Sequence, residues 1–120
     1  MPNSGPILVV EDHADTSAAL ATILSERGYS VLIADNGRDA LELLDRGIRP
    51  GLVLVDLLMP EMSGHDLLAR LAANSQLRNI PTIVITAVPK EQVRVITNAV
   101  FSKPIDFAKL TRTIDALVPS

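Results

Sequence analysis

Four short stretches of the chain are apolar almost throughout: Ile7-Leu8-Val9-Val10, Val31-Leu32-Ile33-Ala34, Leu52-Val53-Leu54-Val55 and Thr82-Ile83-Val84-Ile85. Each has the length of a strand and none alternates with polar residues. The pattern therefore predicts strands covered on both faces, as in a parallel sheet. Ala99-Val100-Phe101 is a weaker fifth strand. The stretches between them carry helical spacing instead. Leu20, Ile23 and Leu24 share one face of a first helix, which Gly28 is placed to end. Asn36, with Asp39 three residues on, suggests the cap of a second helix carrying Leu41 and Leu44. Ser63 and Asp66 do the same for a third, with Leu67, Leu68 and Leu71 inward. Pro89 suits the first turn of a short fourth helix. Asp106 can cap the last, where Phe107, Leu110, Ile114 and Leu117 form an apolar stripe. Five βα units in one domain predict a doubly wound α/β sandwich with right-handed crossovers. Periodicity leaves the strand order open.

In such a sheet, ligands bind beyond the carboxyl ends of the strands. The residues that end or follow the apolar runs are therefore the candidates for chemistry. The first run leads into Glu11-Asp12, the third into Asp56, the fourth into Thr86, and the fifth into Lys103-Pro104. Crowded carboxylates repel one another, and burial raises the cost of ionising them. A hard divalent cation resolves that conflict, and all-oxygen ligation suits Mg²⁺, which commonly shares its ligands with a phosphate. A carboxylate can itself be the nucleophile and become an acyl phosphate. Asp56 is the better candidate, because it stands alone on its strand while Glu11 and Asp12 form a pair. Lys103 could neutralise a phosphoryl oxygen, and Thr86 could donate a hydrogen bond to another.

Taken singly, each residue has a plainer explanation. An acidic pair can begin a helix, Asp56 can be a turn residue, Lys103 a surface lysine and Pro104 a stop. None of these explains the set. His13 is expected to pack over or beside the first helix, since Mg²⁺ prefers oxygen, and His65 to be a solvated helix residue. Met59, Pro60 and Gly64 read as a turn in which Gly64 supplies a positive φ.

Composition narrows the function further. Apolar residues make up 48% of the chain, ample for one core, and no apolar run is long enough to span a bilayer. With one Tyr, two Phe, no Trp and scattered Lys and Arg at a net charge of −3, direct nucleic-acid binding is not expected. There is no cysteine, hence no disulfide and no thiolate zinc site. The first residues lack the regions of a signal peptide, and a cytoplasmic location fits.

Val9-Val10-Glu11-Asp12, Leu54-Val55-Asp56-Leu57-Leu58-Met59-Pro60-Glu61-Met62-Ser63-Gly64, Ile85-Thr86-Ala87 and Ser102-Lys103-Pro104-Ile105 resemble, in order, the signature segments of response-regulator receivers of two-component systems. The resemblance runs from about Pro6 to Val118 and implies one receiver domain over 6–118, with 1–5 and 119–120 as flexible ends. It implies a flavodoxin-like, CheY-like sheet in the order 2-1-3-4-5. It implies that Asp56 accepts a phosphoryl group from a histidine kinase or histidine phosphotransfer protein. Glu11, Asp12, Asp56 and the backbone carbonyl of Leu58 would hold Mg²⁺, while Thr86, Ala87 and Lys103 would bind the phosphoryl group. Two departures stand out. The family usually carries Tyr or Phe three residues before the lysine, where this chain has Val100, with Phe101 beside it. The stretch from Thr86 to Lys103 is shorter than usual by about one to one and a half helical turns, so a shortened fourth helix is expected.

The leading expectation is a regulatory switch that catalyses only its own phosphoryl transfer and dephosphorylation, rather than a metabolic enzyme. Two alternatives remain. One is a degenerate receiver serving as a phosphorylation-independent scaffold, favoured only by Val100 and the short segment. The other is a Mg²⁺-dependent phosphatase, disfavoured because Leu57 and Leu58 follow Asp56 and no insertion could form a cap. No output domain follows Ser120, so only the input half of a signalling function is expected here.

Overall fold

The computed structural model describes residues 5–58 and 62–118. Met59, Pro60 and Glu61, together with the ends expected to be flexible at 1–4 and 119–120, lie outside the described residues. The elements run β1 (Ile7–Val10), α1 (Ala14–Glu26), β2 (Val31–Ala34), α2 (Gly37–Asp45), β3 (Leu52–Asp56), α3 (Gly64–Ala73), β4 (Thr82–Thr86), a 3-10 turn (Lys90–Gln92), β5 (Ala99–Ser102) and α4 (Phe107–Leu117). All neighbouring strands pair in parallel, and the five-stranded sheet has the order β2-β1-β3-β4-β5.

Because side chains alternate across a strand, each central strand feeds two cores. Leu8, Val10, Val53, Val55 and Val84 pack with Ala40 and Leu44 of α2 and Leu67, Leu68 and Leu71 of α3. Ile7, Val9, Leu52, Leu54, Ile83 and Ile85 pack with Leu20 and Leu24 of α1 and Leu110 and Ile114 of α4. The expected caps form. Asn36, Ser63 and Asp106 each accept the backbone N–H three residues on, from Asp39, Asp66 and Lys109. Gly28 follows α1 with a φ of 94°, where a Cβ would be strained. Among the described residues no helix is long and apolar enough to cross a membrane.

Four expectations need correction. The apolar run of β2 is not covered on both faces: Ile33 is 43% exposed, because β2 is an edge strand. The fourth connection holds no α-helix, only the 3-10 turn capped by Pro89, so the last helix is α4. About two turns of helix would fit in 87–98, but Val93 and Val95 pack singly against the α2–α3 core, at a spacing of two. His13 does not pack on α1. It is exposed and caps that helix, its Nδ1 facing the Thr16 N–H at 3.4 Å. Gly64 does not have a positive φ. Its bare α-carbon is needed for close approach, since a Cβ there would lie 2.6 Å from the Asp56 carbonyl oxygen and 2.7 Å from Leu57 Cα.

Candidate functional site

Strand register brings the candidate residues together. Val10 pairs with Val55, so Glu11 and Asp56 emerge at the same level on neighbouring strands. Here the connections part to opposite sides, the switch point at which open α/β sheets bind ligands. Asp56 pairs with Ile85, and Thr86 with Ser102, which sets Lys103 one residue beyond the sheet. The Lys103 N–H then donates to the Thr86 carbonyl at 2.9 Å, extending the β4–β5 ladder to the lysine.

The side chains of Glu11, Asp12, Asp56 and Lys103 converge at this edge. Lys103 Nζ donates to Asp56 Oδ2 at 3.0 Å and to Glu11 Oε1 at 3.4 Å. The other oxygens are held by backbone: Leu58 N–H donates to Asp56 Oδ1 at 3.0 Å, and His13 N–H to Glu11 Oε2 at 3.1 Å. Glu11 and Asp56 are buried, Asp12 is exposed, and each offers an oxygen within 4.8 Å of the others. A cleft of about 420 Å³ opens above them, lined by Glu11, Asp12, His13, Thr16, Asp56, Leu58, Ala87 and Lys103. His65 is exposed on α3, away from this cleft.

Burial, and secondly the neighbouring Asp56, pushes the Glu11 carboxyl up to about 6, against the His13 N–H and the Lys103 charge, which hold it down. Burial would lower Lys103, but hydrogen bonding and charge from Asp56, reinforced by Glu11, outweigh it and raise the ammonium. One cation among three carboxylates leaves an excess of negative charge. The donor set is all oxygen, and its spacing is compatible with a hard divalent ion, so the residues present fit Mg²⁺.

Thr86 ends β4 but is turned from the cleft, so binding a phosphoryl group requires the hydroxyl to shift. It is fully buried, its Oγ1 accepts the Val88 N–H at 3.1 Å, and it does not line the cleft, whereas Ala87 does. Val100 and Phe101 face opposite sides of the sheet. Val100 packs toward the α2–α3 core, and the Phe101 ring lies buried in the α1–α4 core. Two contributions were not read from sequence. His13 tethers Glu11 through its backbone, and Gly64, donating its N–H to the Leu57 carbonyl at 3.1 Å, seats the start of α3 against the Asp56 strand end. The acidic pair before α1 was the available signal for the first; the Gly at the start of α3 was the signal for the second.

The response regulator receiver domain family matches the chain over residues 7–115. The polar-differentiation response regulator DivK of Brucella anthropi is 34% identical over 119 residues, covering 95% of this chain and 94% of that protein. Among solved structures, the signal receiver domain of a signal transduction histidine kinase from Syntrophus aciditrophicus is similar with a TM-score of 0.87. Its identity is 33%, covering 94% of this chain and 89% of that one. The response regulator TrrA from Thermotoga maritima, solved in complex with Mg(2+)-BeF, has a TM-score of 0.84 at 26% identity, covering 95% of this chain and 99% of that one.

Proposed function

The chain belongs to the response regulator receiver domains of two-component signalling, and on that premise we propose that it is a phosphorylation-dependent switch whose acceptor is Asp56. The observation that carries this reading is the Asp56 carboxylate itself: buried at a strand end, open to a cleft, fixed by the Leu58 N–H and by Lys103. Its donor is a phosphohistidine on a histidine kinase or histidine phosphotransfer protein. An Asp56 oxygen attacks phosphorus, the P–N bond breaks, and a P–O bond forms on the carboxylate. Lys103, already 3.0 Å from Oδ2, then pairs with the phosphoryl oxygens in place of the lost carboxylate charge. Mg²⁺ would be held by Glu11, Asp12, Asp56 and the backbone carbonyl of Leu58, and when bound it supplies positive charge to offset the incoming phosphoryl group.

The output step derives from the position of Thr86. To donate to a phosphoryl oxygen, its hydroxyl leaves the Val88 N–H and moves toward the cleft, drawing on the segment that begins at Ala87. No aromatic ring stands at Val100 to relay that motion, and the Phe101 ring is buried in the opposite core. Residues 87–98 are therefore the part that responds, and α4 stays in place. The chain acts as a regulator that catalyses only its own phosphorylation and dephosphorylation.

Labelling with acetyl phosphate and Mg²⁺, with mapping of the modified residue, tests the assignment. Wild type is expected to be modified at Asp56 alone, and Asp56→Asn not at all. Full labelling of that variant would overturn the acceptor; an unlabelled wild type would favour a phosphorylation-independent scaffold.

A further inference from the structure

Where a fourth helix was expected, residues 93–98 run beside α3 without regular secondary structure. Burial alternates along them. Val93, Val95 and Thr97 turn inward, while Arg94, Ile96 and Asn98 turn outward. The far end is latched to β4. Thr82 N–H donates to Asn98 Oδ1 and Asn98 N–H to the Thr82 carbonyl, each at 3.0 Å, and the Thr82 and Thr97 hydroxyls lie 2.8 Å apart. This register fixes Ile96 in an outward position, where it is 87% exposed. Ile96 therefore presents most of its apolar surface to solvent and not to the core.

Ile96 stands between two depressions that share Leu68 and Ala72 of α3. One, of about 250 Å³, lies toward His65, Ala69 and Arg94. The other, of about 160 Å³, lies toward Leu77 and Arg78. Together they form a groove with an apolar floor along α3. Among the described residues its lining includes His65, Arg78 and Arg94 but no carboxylate, although the chain as a whole carries −3. Arg94 is set at the edge by its Nη1, which donates to the carbonyls of Glu91 and Val93.

We propose that this groove docks an amphipathic helix from a partner protein, with an apolar stripe against Ile96 and Leu68 and acidic flanks toward Arg78 and Arg94. An apolar floor between cationic edges complements that chemistry. A second copy of the chain would bring the same cationic edges together, which disfavours self-association through this face. The groove is separate from the Asp56 cleft, and docking is proposed for the unphosphorylated chain, since Arg94 and Ile96 lie in the segment 87–98 that responds to phosphorylation.

The test is a titration of the isotope-labelled full chain, without phosphodonor, monitored by amide chemical shifts. The probe is a synthetic helical peptide with leucines at positions i, i+3, i+4 and i+7 flanked by glutamates. Its counterpart carries lysine in place of every glutamate. The glutamate peptide is expected to shift residues 65–72 and 94–98 saturably and to bind at least about tenfold more tightly than the lysine peptide. Ile96→Asp and Ala72→Glu are expected to weaken it by a similar factor with unchanged melting temperature, since both positions are exposed. Equal affinity for the two peptides, shifts centred on β5 and α4, or undiminished binding to Ile96→Asp would overturn the proposal. So would a dimer in sedimentation that Ile96→Asp dissolves, because a second copy would then be the occupant. Failure of Asp56 labelling would leave every one of these outcomes readable.

Discussion

Replacing Glu11 by glutamine removes one ionisation from the crowded carboxylate cluster while keeping the side chain's shape. Glu11 is only 3% exposed, and burial together with Asp56 raises its carboxyl from the ordinary 4.5 to about 6. A carboxyl raised on folding binds its proton more tightly in the native state. Its contribution to stability is therefore fully present below about pH 4.5 and lost as pH rises through about 6. The interval between those values corresponds to ~2 kcal/mol, already net of the attraction to Lys103. Glutamine never ionises, and its amide oxygen can still accept the His13 N–H. In EDTA, Glu11→Gln should therefore exceed wild type by up to ~2 kcal/mol at pH about 7.5, on the order of 8 °C in melting temperature for a domain of this size. The gap should close toward pH about 4.5. Urea melts tracked by circular dichroism across that range measure it. The difference between the two proteins carries the result, because groups that do not interact with Glu11 cancel, leaving Glu11 with its partners Asp56 and Lys103. A variant less stable than wild type at neutral pH in EDTA, or a gap that does not change with pH, would refute the reasoning.

Mg²⁺ at ten times its dissociation constant should stabilise wild type by ~1.4 kcal/mol through mass action, and Glu11→Gln or Asp12→Asn distinctly less at the same concentration; thermal melts at constant ionic strength check this. Lys103→Ala should slow phosphoryl transfer and blunt the conformational response together, whereas Thr86→Ala should still be labelled but respond less. Equal loss of labelling in both would contradict that division. Gly64→Ala forces a Cβ against the Asp56 carbonyl and Leu57, and should destabilise by ~1–3 kcal/mol in urea melts. Amide hydrogen exchange with beryllofluoride and Mg²⁺ should change across 87–98 and leave α4 largely unaffected. A response confined to α1, or centred on Phe101, would show that the signal leaves by another route.

The five strands, the caps at Asn36, Ser63 and Asp106, and the gathering of Glu11, Asp12, Asp56 and Lys103 at one rim were legible in the chain. Each obeys a local rule: length and apolarity for a strand, a side-chain acceptor three residues before an N–H, and the way a parallel sheet brings all its carboxyl strand ends to one edge. The strand order came only through family resemblance, because periodicity says which face of a strand is buried and not which strand lies beside it. Three features belonged to the tertiary structure alone. Gly64 is required by the approach of α3 to Asp56, a constraint between elements and not within a turn. Thr86 reads as a strand-end hydroxyl, yet in three dimensions it is wholly buried and turned to Val88. The span from Ala87 to Asn98 has residues enough for helix, but Val93 and Val95 pack at a spacing of two, and Thr82 takes hold of Asn98. Local propensity over so short a span is weak, and contacts with neighbouring elements decide its conformation.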